Sequence, residues 1–218
     1  MRLDWVADNL DRILMMTWAH VKVSVLPILL SLLISVPIAW WAHRRKGARR
    51  ILVPISSVLY ALPSLPLFVL LPVILGTKVL DPMNLVIALT LYGIALLVRN
   101  AVDAFDSVGR IIRDDALAVG HSPSQVFWRV ALPLAGPPLL AGTRVVSAST
   151  LSLVSVGALI GVPSLGYFFT NGYQRAFPTE ILTGVIGTVI LAVIFDGIIV
   201  IAGRLLMPWV RATDRRRA

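Results

Sequence analysis

The sequence contains no cysteine, which excludes a disulfide framework and any thiolate-based catalytic or metal site. Its three histidines, His20, His43 and His121, are isolated, and none has a metal-ligand partner at helical spacing. We therefore interpret all three as structural or surface residues. The chain also has no G-x-x-x-x-G-K-S/T phosphate-binding loop, so we expect no ATP site of that kind in it.

Charged residues are scarce, at 14% of the sequence against 57% hydrophobic residues. Soluble domains carry about 25% charged residues. The mean hydropathy is +0.85, and most apolar residues fall in runs of about 20 or more, which is enough helix to cross a hydrocarbon core of ~30 Å. The composition predicts an all-α, polytopic membrane protein.

The net charge of +9 is concentrated in two short basic segments. One covers residues 44–50, and the other ends the chain at Arg211, Arg215, Arg216 and Arg217. Basic residues that flank membrane spans mark the cytoplasmic side. This placement favours a role in membrane topology, with the lipid bilayer as partner, over nucleic-acid binding.

We predict about five membrane spans, because this number puts both basic segments on the cytoplasmic side. The N-terminus then lies outside and the C-terminus inside. Loops 43–50 and 103–133 are cytoplasmic, whereas 76–81 and 161–181 are external. The predicted spans cover residues 21–42, 51–75, 83–102, 134–160 and 182–207.

Two terminal segments flank the predicted transmembrane domain of residues 21–207. Residues 1–20 carry three aspartates where a signal peptide would be positive. Their apolar residues recur at helical spacing, which predicts an interfacial amphipathic helix. A simple lead-in to the first span is the alternative. Residues 208–218 form the basic cytoplasmic tail.

A polar segment between two spans carries the most specific motif. Residues 114–120 read D-D-A-L-A-V-G, and residues 130–133 read V-A-L-P after an interval of nine. The pattern resembles the cytoplasmic loop of bacterial ABC importer permeases, E-A-A-x-x-x-G, nine residues, then I-x-L-P. Asp115 departs from that pattern. The residues that match it or replace it conservatively are Asp114, Ala116, Gly120, Val130, Leu132 and Pro133.

The resemblance implies that this segment is the coupling helix, which docks into a separate ATPase. We expect a helix that starts near Asp114, with its acidic residues favoured by the helix dipole. Gly120 is expected to end that helix. Residues 121–124 are expected to cap a second short helix over 123–130. Without the family pattern, an ordinary amphipathic cytoplasmic loop is the simpler reading.

Four further stretches resemble the glycine betaine/carnitine/choline permeases, which have a type I (MetI-like) transmembrane domain. They are L-Y-A-L-P-S-L at 59–65, Y-G-I-A-L-L-V-R-N at 92–100, A-G-T-R at 141–144 and A-L-I-G-V-P-S-L-G at 158–166. In the last stretch, Pro163 and Ser164 replace small residues of the family pattern. We expect Tyr60, Pro63, Ser64, Arg99 and Asn100 to lie in or beside the translocation pathway, with a helix kink at Pro63 in the second span. Arg99 and Asn100 close the third predicted span, and an interfacial anchor is the alternative role of Arg99.

Two charged residues lie inside predicted spans, Arg144 in the fourth and Asp196 in the fifth. A charge within a membrane is costly and by default indicates function or a specific partner. We expect Asp196 to face the interior rather than lipid. It could pair with Arg144 or face the pathway, and the sequence leaves both possibilities open.

The resemblance implies a permease subunit in a bacterial cell membrane, which forms the translocation pathway for a small osmoprotectant such as glycine betaine, choline or carnitine. It further implies two ATPase subunits that hold ATP and Mg²⁺, a second permease chain and an external binding protein. This chain itself is expected to have no cofactor and no enzymatic activity. The alternatives are a similar permease for an amino acid such as methionine and, in another class, a stand-alone secondary transporter. A secondary transporter more typically shows inverted repeats.

Overall fold

The computed structural model describes residues 2–78 and 81–210, and these are helical nearly throughout. The helices are α1 (Leu3–Asp8), α2 (Leu10–Arg44), α3 (Lys46–Ala61), α4 (Ser64–Leu75), α5 (Pro82–Asp106), α6 (Arg110–Ala118), α7 (Pro123–Val126), α8 (Leu132–Gly157), α9 (Tyr167–Gln174) and α10 (Pro178–Leu206). A π-helical turn, Phe127–Ala131, joins α7 to α8, and the 3₁₀ turn Ala158–Ile160 follows α8. No strand occurs in the described ranges, as the all-α prediction requires.

The prediction of about five spans is confirmed. Within the described residues, four helical stretches are long and apolar enough to cross a membrane. These are α2, α5, the continuous helical path Pro123–Ile160, and α10. The helices α3 and α4 supply a fifth span if the two are taken together as one broken segment.

Helix α5 is the centre of the bundle. It packs along the length of α2 on one side and against α8 on another, while α3 and α4 also contact it. Small residues allow these close approaches. A Cβ added to Gly93 of α5 would overlap the Ser31 side chain of α2. Ser31 Oγ also donates a hydrogen bond to the Thr90 carbonyl oxygen, at 3.2 Å.

The second predicted span, 51–75, is not one helix. Its two halves, α3 and α4, meet at an angle of 104°. Leu62 and Pro63 at the junction have extended backbone angles. Pro63 causes the break, because a proline disfavours helical backbone in the residue before it and has no N–H to give to the helix. The sequence indicated a kink here and understated its size.

Several helix boundaries differ from the predicted ones. Residues 10–20 continue into the first span as one helix, so no break separates the predicted interfacial segment from it. Only Arg45 separates α2 from α3, so the predicted loop 43–50 is almost entirely helical. Helix α10 begins at Pro178, before the predicted 182, and ends at Leu206. Most of the predicted tail, 211–218, lies outside the described residues.

Packing explains the continuity of α2 through residue 20. The His20 imidazole is buried between α8 and the segment before α9. Its Nε2 donates to the Leu151 carbonyl oxygen at 3.0 Å, and its Nδ1 accepts from the Leu165 N–H at 3.3 Å. These bonds satisfy both ring nitrogens of a neutral imidazole. His20 is therefore a structural residue, as its isolation in the sequence indicated.

Candidate functional site

The segment 103–133, which we call the polar loop, folds into short helices at the end of the bundle where α5 stops and α8 begins. Its first helix, α6, starts at Arg110 rather than near Asp114. The first turn therefore contains a basic residue, and the predicted dipole advantage of acidic residues there is wrong. Asp114 instead lies one turn from Arg110 and 3.6 Å from its guanidinium, as an exposed i,i+4 pair.

Gly120 ends α6 as predicted, in a left-handed conformation with φ of +94°. The His121 N–H bonds the Ala116 carbonyl oxygen at 3.1 Å, and the Gly120 N–H bonds that of Leu117 at 3.0 Å. This pair of bonds is a Schellman motif. Glycine suits the position because side chains disfavour a positive φ.

The predicted second short helix is present and begins with a capping box. Ser122 Oγ accepts from the Gln125 N–H at 3.3 Å, and Gln125 Oε1 accepts from the Ser122 N–H at 2.8 Å. After Val126 the chain passes through the π-helical turn into α8 without a break. Val130, Leu132 and Pro133 thus lie on a helical path that leads directly into the fourth span.

The outer surface of the polar loop is apolar as well as charged. Ala116 is buried, whereas Asp114 and Asp115 are exposed beside it. Ile111 and Val119 are 75% and 76% exposed. Leu117 and Trp128 are also exposed. Ile111, Val119 and Trp128 are not among the site residues predicted from the sequence, although their large apolar side chains in a polar segment were a usable signal.

Tyr60, Pro63 and Ser64 lie together at the break between α3 and α4. The Tyr92 hydroxyl of α5 donates to the Leu62 carbonyl oxygen at 2.6 Å, which fixes the break to the centre of the bundle. The Tyr60 ring contacts the Tyr92 ring edge to face, with centroids 6.4 Å apart. Tyr60 remains exposed in the single chain, and Ser64 begins α4.

Arg99 and Asn100 do not close the third span, because α5 continues to Asp106. Arg99 is exposed and Asn100 half-buried. Asn100 lies where α5 approaches α8: a Cβ on Gly142 would be 3.3 Å from the Asn100 Cβ. Two of the stretches that carried the family resemblance, 92–100 and 141–144, therefore meet at one helix crossing.

Arg144 and Asp196 form a two-bond ion pair between α8 and α10. Arg144 Nε is 2.5 Å from Asp196 Oδ1, and Arg144 Nη2 is 2.8 Å from Oδ2. The structure thus selects the pairing that the sequence left open. The two side chains are 46% and 42% exposed in the single chain, and the expectation that Asp196 faces the interior rather than lipid stays a prediction. Helix α10 packs on one side only and leaves its other face uncovered.

A groove lies along the same α8–α10 seam, nearer to α9. Apolar side chains such as Val156, Leu159 and Phe169 supply most of its lining, with the hydroxyl side chains of Ser152, Ser155, Thr170 and Thr188 among them. Ser155 Oγ is buried and has no hydrogen-bond partner among the described residues. Ser155 and Arg144 are about three turns apart on one face of α8, and the groove residue Val185 has the same relation to Asp196 on α10. Ion pair and groove therefore form one stripe.

No cluster of three or more His, Asp or Glu side chains within the described ranges could hold a metal ion. The α8–α10 seam offers ion pairing and hydrogen bonding. The polar loop offers an exposed apolar surface.

Comparison with curated proteins finds relatives that match almost the whole chain. The choline transport system permease protein OpuBB of Bacillus subtilis (strain 168) is 25% identical over 206 residues, which is 94% of each protein. The carnitine transport permease protein OpuCD of Listeria monocytogenes serotype 1/2a (strain 10403S) is 23% identical over 212 residues, 97% of this chain and 90% of the relative.

Two solved structures share the fold. The inward-facing MetNI methionine ABC transporter superposes with a TM-score of 0.72 at 21% identity, over 91% of this chain and 95% of that one. An amino acid ABC transporter crystallised with histidines gives a TM-score of 0.76 at 13% identity, over 94% and 98%. The fold is thus that of a MetI-like ABC permease. Residues 23–212 also match one family, so the chain belongs to the binding-protein-dependent transport system inner membrane components.

Proposed function

We propose that the chain is the permease subunit of an ATP-driven importer for a small osmoprotectant such as glycine betaine, choline or carnitine. A separate ATPase hydrolyses ATP and binds the polar loop over residues 114–133. The permease forms the translocation pathway. It has no catalytic residue and no cofactor of its own, and ATP and Mg²⁺ bind to the ATPase.

The architecture of the polar loop is the observation that carries this proposal. Two short helices meet at the left-handed Gly120, and the capping box of Ser122 starts the second of them. The second helix then continues into the span α8. Exposed apolar side chains outside the spans mark an interaction surface. A partner that holds Val119 and Trp128 could therefore push or pull α8 directly.

The α8–α10 stripe supports a pathway along that seam. A half-exposed ion pair in membrane-spanning helices is costly beside lipid and is tolerated next to water or a second protein chain. Arg144 lies about 18 Å from the start of α8, and Asp196 about 15 Å from the end of α10, at 1.5 Å per residue. The two residues are therefore at a similar depth, near the middle of their helices. The stripe faces the pathway between two permease chains.

The proposed assembly contains two permease chains, identical or sister, with two ATPases on their polar loops and an external substrate-binding protein. The N-terminus lies outside and the C-terminus in the cytoplasm. ATP binding closes the ATPases, moves the polar loops and turns the pathway outward. This linkage requires different contacts between ATPase and polar loop in the ATP-bound and free states.

The substrate class rests on the relatives rather than on a pocket in this chain. OpuBB is a choline permease and OpuCD a carnitine permease by name. The Arg144–Asp196 pair presents both signs of charge on one surface. A zwitterionic or cationic solute would meet a compatible surface there.

The test is to purify the chain with the ATPase and binding protein that its genomic neighbourhood supplies, and to reconstitute the complex in lipid nanodiscs. ATP hydrolysis is then measured with glycine betaine, choline, carnitine, methionine and histidine. Stimulation by one of the first three supports the proposal. Stimulation by an amino acid alone would reassign the substrate, and no ATP hydrolysis with any of them would contradict an ATPase-coupled permease.

A further inference from the structure

A group of side chains at the end of α2 attaches the polar loop to the bundle. His43 is the penultimate residue of α2, and its side chain is only 5% exposed. Its Nδ1 is 2.6 Å from Asp106 Oδ1 at the end of α5. Its Nε2 contacts an Nη1 of Arg113 on α6. One imidazole therefore connects the first span, the third span and the first helix of the polar loop.

The partners of the ring define its protonation state. A carboxylate accepts hydrogen bonds, so Nδ1 carries the proton that is donated to Asp106. A guanidinium only donates, so Nε2 must offer a lone pair to Arg113. Both contacts are made together only by a neutral imidazole. A second proton on Nε2 would remove the acceptor and place two positive charges in contact.

The position of the Arg113 side chain depends on His43. Within the described residues, its guanidinium makes one hydrogen bond, to the His43 ring, and its buried Nε has no partner. The carboxylates nearby bind a different cation. Arg49 of α3 contacts Asp106 and lies 3.7 Å from Asp103. If His43 releases Arg113, α6 loses this connection to the bundle.

Aromatic rings connect the π-helical turn of the polar loop to the surroundings of His43. Trp40 stacks on the His43 ring, with centroids 5.6 Å apart and planes 19° from parallel. Phe127 of the π-helical turn packs against Trp40 at 5.1 Å and against Phe105 at 6.1 Å. Both helical parts of the polar loop thus contact the surroundings of His43.

Two aspartates and three arginines lie around the ring. On α5, Asp106 contacts the ring and Asp103 lies beyond Arg49. Arg113 faces the ring from α6, and Arg49 of α3 faces Asp106. On α2 itself, Arg44 lies over Trp40, 5.8 Å from its ring centroid. Because Arg49 already neutralises much of the Asp106 charge, little negative charge is left to hold an imidazolium beside Arg113.

We infer that His43 is a positioning residue that holds α6 in place for the ATPase, and that it does so only while its ring is neutral. This inference rests on the proposed function, since it assigns the polar loop a partner. Acidification of the compartment that bathes the polar loop then uncouples ATP hydrolysis from transport through the loss of the His43–Arg113 contact. None of the residues selected from the sequence belongs to this group.

The first test measures coupling in the complete complex, as the ratio of solute-stimulated to basal ATP hydrolysis. The contact with Arg113 opposes a second proton on the ring, so the wild-type ratio is expected to hold near neutral pH and to fall several-fold only below the usual histidine range of about pH 6.5. His43→Gln keeps an acceptor for Arg113 and cannot be protonated, so its ratio stays nearly constant. His43→Lys carries a permanent charge and is expected to be uncoupled throughout.

Two arginine variants identify the contact. Arg113→Gln removes the cation that opposes the second proton, so the pH dependence is expected to flatten even if coupling is weaker. Arg44→Gln loses the same charge nearby without facing Nε2 and is expected to keep the wild-type profile. A His43→Gln complex with an unchanged pH profile would overturn the inference, as would normal coupling in His43→Lys.

A second measurement is independent of the transported solute. Hydrogen exchange of the peptide 110–119 is compared between wild type and His43→Gln at each pH, because the ratio cancels the intrinsic pH dependence of exchange. We expect equal rates at neutral pH and several-fold faster wild-type exchange at acidic pH. A constant ratio would refute the positioning role of His43. If no solute stimulates hydrolysis but the exchange ratio changes as expected, the substrate proposal fails and the positioning role stands.

Discussion

At the scale of single residues, the buried rings of two histidines have partners from other segments of the chain. His20 bonds Leu151 and Leu165, and His43 bonds Asp106 and Arg113. Each contact joins segments that are far apart in the sequence. An unpaired polar group in low-dielectric surroundings is costly, so these bonds fix the relative rotation of the helices as well as stabilising them.

The Arg144–Asp196 pair predicts coupled mutational effects. Arg144→Gln or Asp196→Asn alone leaves one charge stranded on a membrane-spanning helix. Each is expected to lower the unfolding temperature in detergent, and the double variant should lose less than the sum of the two. Strictly additive losses would show that the contact contributes nothing to stability. Wild-type uptake by the Asp196→Leu variant would contradict the placement of the pair in the pathway.

Close packing at Gly93 predicts a loss of stability from a single methyl group. The added Cβ of Gly93→Ala would overlap the Ser31 side chain and lie 3.2 Å from Val146 Cγ1. Overpacking of this kind costs about 1–3 kcal/mol. Gly197→Ala is the matched control, because nothing lies within 4 Å of its added Cβ. Thermal unfolding should separate the two variants, and equal stability would contradict the described α2–α5 contact.

At the scale of elements, interruptions of the helices determine the architecture. The break at Pro63 turns one apolar stretch into two helices, and the Tyr92 hydroxyl holds the turn in place. The Schellman turn at Gly120 and the capping box at Ser122 divide the polar loop into two short helices. In each case one residue with restricted or permissive backbone geometry places a whole helix.

Gly120 predicts a selective defect in coupling. Gly120→Val forces a β-branched side chain into a left-handed conformation, which disfavours the Schellman turn. Open space surrounds the position, so the effect comes from the backbone and not from a clash. We expect the variant to reach the membrane, to co-purify poorly with the ATPase and to lose uptake. Normal co-purification together with normal uptake would show that the polar loop does not couple the two subunits.

At the scale of the whole molecule, the helical bundle leaves a large apolar surface around its outside. Helix α10 in particular exposes Val189, Ile190 and Val193, among other large aliphatic side chains. Such a surface suits lipid on some faces and a second permease chain on others. The half-exposed ion pair distinguishes the α8–α10 seam from a purely lipid-facing surface.

The proposed topology predicts where an introduced cysteine can be labelled, and the absence of native cysteine makes the test clean. Cysteines at Arg50 and Ala218 should be protected from a membrane-impermeant thiol reagent in intact cells. A cysteine at Tyr173, which is 81% exposed, should be labelled. Permeabilised cells supply the control, in which all three positions react. Labelling of Ala218 but not Arg50 in intact cells would exclude the proposed orientation.

The sequence alone determined the features that depend on local composition. Hydropathy identified the spans, because a run of about 20 apolar residues is a property of one segment. The motif 114–120 with Leu132 and Pro133 located the polar loop. The preference of glycine for positive φ located the turn at Gly120, and serine and proline located the start of the second short helix. None of these required knowledge of a second helix.

Only the tertiary structure decided which distant residues meet. The pairing of Arg144 with Asp196, the contact of His43 with Arg113 and the 104° angle at Pro63 depend on the rotation and depth of neighbouring helices. Residues with ordinary local patterns, such as Asp106 and Arg113, acquire a role only from these neighbours. A periodic apolar pattern fixes the face of a helix only when one side is solvated, and in a membrane both sides are apolar.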